Sequence, residues 1–154
     1  MRYALAHWCP EGESCSITII GAGGKREDHT IGNLSLLMEY AKALGGESKA
    51  ADYLSSCMAD ALKPYRGRRL EIDLVTDYST VIAVADSCEL AVGEGMKVSI
   101  ISADNSLRIK SEGLTWPTDD VVFDNLWKAT LNRASADMVK LTFNHPSAAL
   151  VILA

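Results

Sequence analysis

Apolar and polar positions along this chain change period several times, and each change predicts an element. Residues 3–9 and 15–20 (Cys15-Ser16-Ile17-Thr18-Ile19-Ile20) are strand-like in composition and flank Pro10-Glu11-Gly12-Glu13-Ser14, a turn composition, so they predict a β-hairpin. Gly21-Ala22-Gly23-Gly24 breaks the second strand, and Lys25–His29 reads as a polar connection or a short third strand. From Asn33 the period becomes helical. Leu34, Leu37, Met38, Ala41 and Leu44 share one face, Asn33 is a candidate N-cap and Gly45-Gly46 ends the run. A second helix is predicted over about 48–63, on Ala51, Leu54, Met58 and Leu62, and Pro64 stops it.

Leu70-Glu71-Ile72-Asp73-Leu74-Val75 alternates as a strand. Residues 79–91 are ambiguous between a helix capped by Ser79 and a strand. Met96–Ala103 and Leu107–Lys110 predict a hairpin around Asp104-Asn105-Ser106, and Thr118-Asp119-Asp120 opens an amphipathic helix with Val121, Val122, Leu126, Trp127 and Leu131 inward. Met138–Phe143 is a strand, and apolar Ala148–Ala154 is a buried strand or a terminal packing segment. This order predicts an α/β or α+β fold, a mixed sheet flanked by helices. No internal repeat or linker divides residues 1–154, so a single domain is expected.

Composition narrows the classes. Of 154 residues, 48% are hydrophobic and 23% charged, which excludes a disordered chain. Aromatic residues are only 6%, so the core rests on aliphatic side chains. A net charge of −5 disfavours non-specific binding to nucleic acid, where a basic field supplies most of the affinity. Arg66-Gly67-Arg68-Arg69 is the one strongly basic cluster and reads as a solvated loop. No apolar run is long enough for a membrane span or a signal peptide, so no membrane partner and a cytoplasmic location are expected. Cys9, Cys15, Cys57 and Cys88 form no C-x-x-C pair and read as reduced thiols. His7, Cys9 and Cys15 lack the second ligand pair of a structural zinc site.

Candidate chemistry is sparse. Ile17–Gly24 has the form of a strand entering a dinucleotide-binding turn, but Arg26 stands where the third glycine is needed, and Glu27-Asp28-His29 opens no apolar helical stripe. The glycines therefore read as a turn. No P-loop lysine motif or G-x-S-x-G elbow is present. Asp77 lies where a sheet strand ends, the position from which open α/β sheets present functional groups, and a carboxylate there suits Mg²⁺ or a helix dipole equally.

Several segments, in order along most of the chain, resemble ribonuclease H type 1. Val75-Thr76-Asp77-Tyr78-Ser79-Thr80-Val81-Ile82 resembles the turn that presents a catalytic aspartate before a helix in that family. Asn33–Leu44 is similar to its first helix, Leu114–Thr118 with Asp124–Trp127 to its late tryptophan stretches, and Lys140–His145 to its last strand and following histidine. The resemblance implies a ribonuclease H-like fold and Mg²⁺- or Mn²⁺-dependent hydrolysis of the RNA strand of an RNA–DNA hybrid. Asp77, Glu39 and Glu11 would then hold metal, and His145 would assist proton transfer. The carboxylate set is incomplete. Glu11-Gly12 is the nearest counterpart of the first aspartate, Leu36 stands at the helix glutamate so that Glu39 serves only after a register shift, and the final aspartate has no equivalent. The alternative is an inactive ribonuclease H-like domain, or another α/β domain, acting as an interaction or inhibitor module on a protein partner of unknown identity.

Overall fold

The computed structural model describes residues 1–24, 26–44, 56–65 and 68–154, with the side chains of Ser56 and Cys57 also outside the description. Helix α1 (Arg2–Trp8) leads to strand β1 (Ser14–Ile20), helix α2 (Glu27–Leu44) and helix α3 (Ser56–Leu62), which a 3₁₀ turn over Lys63–Tyr65 closes. Seven of the remaining strands follow as β2 (Arg69–Val75), β3 (Thr80–Val84), β4 (Cys88–Ala91), β5 (Lys97–Ile101), β6 (Ile109–Glu112), β7 (Ala129–Arg133) and β8 (Met138–Phe143). Strand β9 (Ala149–Leu153) ends the fold.

The strands form a six-stranded sheet, β1-β2-β3-β9-β5-β7, and a three-stranded sheet, β4-β8-β6. Among the described residues only β1 and β2 run parallel, with Ser14 opposite Arg69 and Ile20 opposite Val75. The other pairings are antiparallel. This is a mixed α+β fold, in which the period-2 alternation of each strand separates two cores. Leu70, Ile72, Leu74, Val81, Ala83 and Leu150 face the helices and meet Leu5, Leu37, Ala41, Leu44 and Leu62. Val84, Val98, Ile100, Ala149 and Val151 face the other way and pack on Ile109, Val139, Leu141 and Phe143 of the small sheet. Strand β9 is apolar on both faces because both faces are covered.

The helical face of α2 is the one its periodicity predicts, with Leu37, Ala41 and Leu44 buried. Its start is earlier: Glu27 and Asp28 occupy the first turn, where acids complement the helix dipole, and Asn33 lies in the helix interior. The expected hairpin at 3–20 is half wrong. Residues 2–8 are helical because Leu5 and Cys9 bury on one face at i,i+4 spacing, while Tyr3 and His7 stack on the other at 4.0 Å between ring centroids. Cys9 and Cys15 are joined as a disulfide, against the expectation of free thiols at those positions. Most of the helix expected at 48–63 lies outside the described residues, as do Arg66 and Gly67 of the basic cluster; α3 matches its end.

Three further differences bear on the family resemblance. Residues 79–91 are strands β3 and β4, so no helix follows Asp77. The segment from Thr118 does not become helical. Buried Thr118 donates its Oγ1 to Ile109 O at 2.7 Å and its N–H to Ser111 Oγ at 3.0 Å, two bonds that tie it to β6. Val122, Leu126, Trp127 and Leu131 of that apolar stripe are exposed. Strands β5 and β6 do not pair; the Asp104–Ser106 turn carries the chain from the large sheet to the small one. The helix that follows the aspartate in the ribonuclease H-like arrangement is therefore absent from this segment.

Candidate functional site

The parallel pair places the C-terminal ends of β1 and β2 side by side, where an open sheet exposes loops to a ligand. There Gly21, Ala22, Gly23, Gly24, Arg26, His29, Thr30, Asn33 and Asp77 line a cleft of about 540 Å³. Strand, glycine-rich turn and helix N-terminus follow one another, an order that collects backbone N–H groups and the positive end of the helix dipole at one place. The turn reverses through left-handed backbone at Gly21 (φ +74°) and Gly24 (φ +137°). Gly23 is held for a different reason: a Cβ there would stand 3.0 Å from Thr76 Cγ2.

Three sets of hydrogen bonds fix the walls. Asn33 Nδ2 donates to Ala22 O at 2.7 Å and ties the turn to α2. Thr30 Oγ1 accepts from Gly24 N–H at 3.4 Å and donates to Arg26 O at 3.2 Å. On the facing turn, Thr76 Oγ1 accepts from the N–H groups of Tyr78 (3.2 Å) and Ser79 (3.0 Å), which presents exposed Asp77 at the cleft rim. Arg26 grips Asp28 through Nε–Oδ1 (3.1 Å) and Nη2–Oδ2 (2.5 Å), and that pairing holds the exposed Asp28 carboxyl below its ordinary value. Being solvent-exposed, the pair exchanges readily with an incoming anion.

The residues expected to carry metal chemistry do not converge. Glu11 lies in the turn before β1 and Asp77 beyond the end of β2, at opposite ends of the parallel pair and so roughly 20 Å apart at strand rise. Glu39 sits on α2 with Lys42 Nζ at 3.3 Å. Among the described residues no three His, Cys, Asp or Glu side chains stand together as a metal site. A resident ion therefore has no protein cage there, whereas Asp77 can add one carboxylate to a Mg²⁺ that arrives with a phosphate substrate.

His145 belongs to a separate cluster on two of the connections that cross between the sheets, β5 to β6 and β8 to β9. Its Nε2 is 3.1 Å from Ser106 Oγ and 3.9 Å from Asp104 Oδ2. Asp104 also accepts from Ser106 N–H (2.9 Å), Ser106 Oγ (2.6 Å) and Ser147 Oγ (2.7 Å). Partial burial pushes the Asp104 carboxyl up, but these donors and the nearby imidazole outweigh it and the net shift is downward.

The glycine cleft was discounted in the sequence because the acidic run after it hides a helix start. Acids in a first turn are a helix signal, and the stripe from Leu34 extends backward through Thr30 and Ile31 at helical spacing.

Comparison with known proteins points away from nucleases. Residues 80–151, a little under half of the chain, match the family model described as thiamin pyrophosphokinase, substrate-binding domain. No curated protein matches the sequence significantly. The fold is similar to that of thiamine pyrophosphokinase from Bacillus subtilis, with a TM-score of 0.65 and 15% identity over 99% of this chain and 58% of that one. It is also similar to the enzyme from Geobacillus thermodenitrificans (TM-score 0.60, 17% identity, 99% and 57%) and that from Candida albicans (0.58, 12%, 91% and 44%). The chain thus spans about half the length of these structures. These matches overturn the ribonuclease H resemblance, and with it the nuclease activity and the RNA–DNA hybrid as partner. Among the described residues no helix is long and apolar enough to cross a membrane.

Proposed function

We propose that this chain is a thiamin-binding module of the pyrophosphokinase type, acting on thiamin and ATP. The observation that carries the reading is the match of residues 80–151 to a thiamin pyrophosphokinase substrate-binding domain. The strand–glycine turn–helix cleft supports it independently, because such a cleft suits a polyphosphate. In the reaction the thiamin hydroxyl oxygen bonds to the β-phosphorus of ATP and the bond from that phosphorus to the α,β-bridging oxygen breaks. AMP leaves, and the hydroxyl proton passes to a base or to water. Gly21–Gly24 would cradle the diphosphoryl group, Arg26 would exchange Asp28 for phosphate oxygens, and Asp77 would give one ligand to the Mg²⁺ that accompanies ATP.

Thiamin carries a quaternary thiazolium, a cation suited to an indole face. Trp116 offers one within the matched segment. It is 59% exposed, and its backbone is clamped by buried Asn132, which accepts from Trp116 N–H at 3.1 Å and donates to Trp116 O at 2.6 Å. Trp127 already lies under Lys128, 5.5 Å from the ring centroid. The Trp116 surface adjoins β7 and the glycine cleft adjoins β1, at opposite edges of the large sheet and about 24 Å apart by strand spacing. One chain does not bring them together, so transfer requires the β7 edge of one copy against the cleft of another.

Both cores share β3 and β9, which supports reading residues 1–154 as one domain. We place the activity in the cytoplasm, where the thiol pool would act to open the Cys9–Cys15 disulfide. The test is a tryptophan-fluorescence titration with thiamin. Saturable quenching that Trp116→Ala abolishes is expected; folded protein that shows no saturable response at millimolar thiamin overturns the reading.

A further inference from the structure

The hydrogen bond from Asn33 to the glycine turn has a consequence for how the turn meets a phosphate. Asn33 sits in the interior of α2, where asparagine is a weak helix former, and its side chain crosses to Ala22 O, 11 residues earlier. A carbonyl can only accept, so the amide NH₂ must face it and the side-chain orientation is settled by chemistry. The peptide bond between Ala22 and Gly23 is trans. In a trans peptide the N–H points opposite to the C=O. Drawing Ala22 O toward α2 therefore turns the Gly23 N–H to the other side of the peptide, where no described residue accepts it. Gly23 lines the cleft. A Cβ at this position would stand 3.0 Å from Thr76 Cγ2, so the glycine lets the turn lie close to the facing wall.

We infer that Asn33 is a positioning residue: by holding Ala22 O it presets the Gly23 N–H as a free donor for a phosphate oxygen of the substrate. This rests on reading the cleft as the diphosphate site. Without the bond, the Ala22–Gly23 peptide is free to flip and the donor must be reordered each time an anion binds, which weakens the anion and leaves thiamin untouched.

Inorganic pyrophosphate is the probe, titrated into ¹⁵N-labelled wild type, Asn33→Leu and Asn33→Ala, with thiamin fluorescence titrations and thermal melts alongside. In wild type the Gly23 amide resonance should shift saturably with pyrophosphate. Both variants should bind pyrophosphate about tenfold more weakly or worse, with the thiamin titration unchanged; the near-isosteric leucine beside the truncation to alanine guards against one that fails to fold. A folded variant that binds pyrophosphate as tightly as wild type overturns the role of Asn33 alone. A Gly23 resonance that stays still while other amides of the cleft move does the same. Wild type that does not bind pyrophosphate at all overturns the diphosphate site, and this inference with it.

Discussion

The region where the two sheets pack together and the β1 edge of the large sheet are built differently. Toward the C-terminus, β5, β8 and β9 lie inside two packed sheets, and Ile100, Val139, Leu141, Ala149 and Val151 are fully buried. At the edge, β1 is covered on one face only, its Cys15, Ile17 and Ile19 are half-buried, and Ser14, Ser16, Thr18 and Ile20 meet solvent. The segment with the dense core is also the one matched to a substrate-binding domain. The glycine cleft, by contrast, hangs on the thinly packed edge. A densely packed body thus carries the matched segment, while the glycine cleft depends on local hydrogen bonds from Asn33, Thr30 and Thr76 for its shape. Where packing is thin, side-chain hydrogen bonds set loop geometry.

The largest effect should come from the dense core. Leu141→Ala is expected to cost about 3–5 kcal/mol, the range for a fully buried leucine, whereas Ile17→Ala on the half-covered strand should cost about 1–2 kcal/mol. Urea denaturation of both variants checks this, and equal losses would break the contrast between the packed sheets and the β1 edge. Next in size is the Cys9–Cys15 link, which bridges a sequence separation of 6 and joins α1 to β1. The loop-entropy relation gives about 2 kcal/mol between oxidised and reduced protein, and Cys15→Ser should abolish that difference. Identical midpoints with and without reductant in wild type would show that the thin edge gains nothing from this link.

The smallest effect concerns pH and the crossing connections. Asp104 has its carboxyl lowered when folded, so the folded state releases that proton more readily than the unfolded chain. Its contribution is fully present above the ordinary carboxyl value near 4 and is lost as pH falls through the lower folded value. Asp104→Asn should lower stability at pH 7 and flatten the acid limb of a urea-midpoint profile between pH 5 and 2. An acid limb as steep as wild type would assign that loss to other carboxylates.

How much was legible in the chain follows from where its patterns are local. The alternation in 70–75 and 138–143 and the stripe from Leu34 to Leu44 gave β2, β8 and the buried face of α2, because period and burial agree there. The apolar spacing from Val121 to Leu131 suggested a helix, yet side-chain bonds from Thr118 to the β6 backbone and from Asn132 of β7 to Trp116 O hold the segment in extended and looped form. The family resemblance failed for the same cause: short motifs around Asp77 and Trp116 fit more than one fold until their neighbours are known. The glycine cleft was visible as Gly21–Gly24, but the spacing rule used to judge it assumed a third glycine that this turn does not need.

By itself the sequence determined the strands whose residues alternate cleanly, the helix with a continuous apolar stripe, the aliphatic character of the core and the acidic net charge. Each is a property of neighbouring residues. Only the tertiary structure decided which strands pair, that β1 and β2 run parallel, that β9 lies between two cores, and that Asp77 faces Gly21–Gly24 while Glu11 lies at the far end of the same strands. The physical reason is that pairing and layering join residues far apart in the chain. Local periodicity tells which face is apolar and is silent on what will cover it.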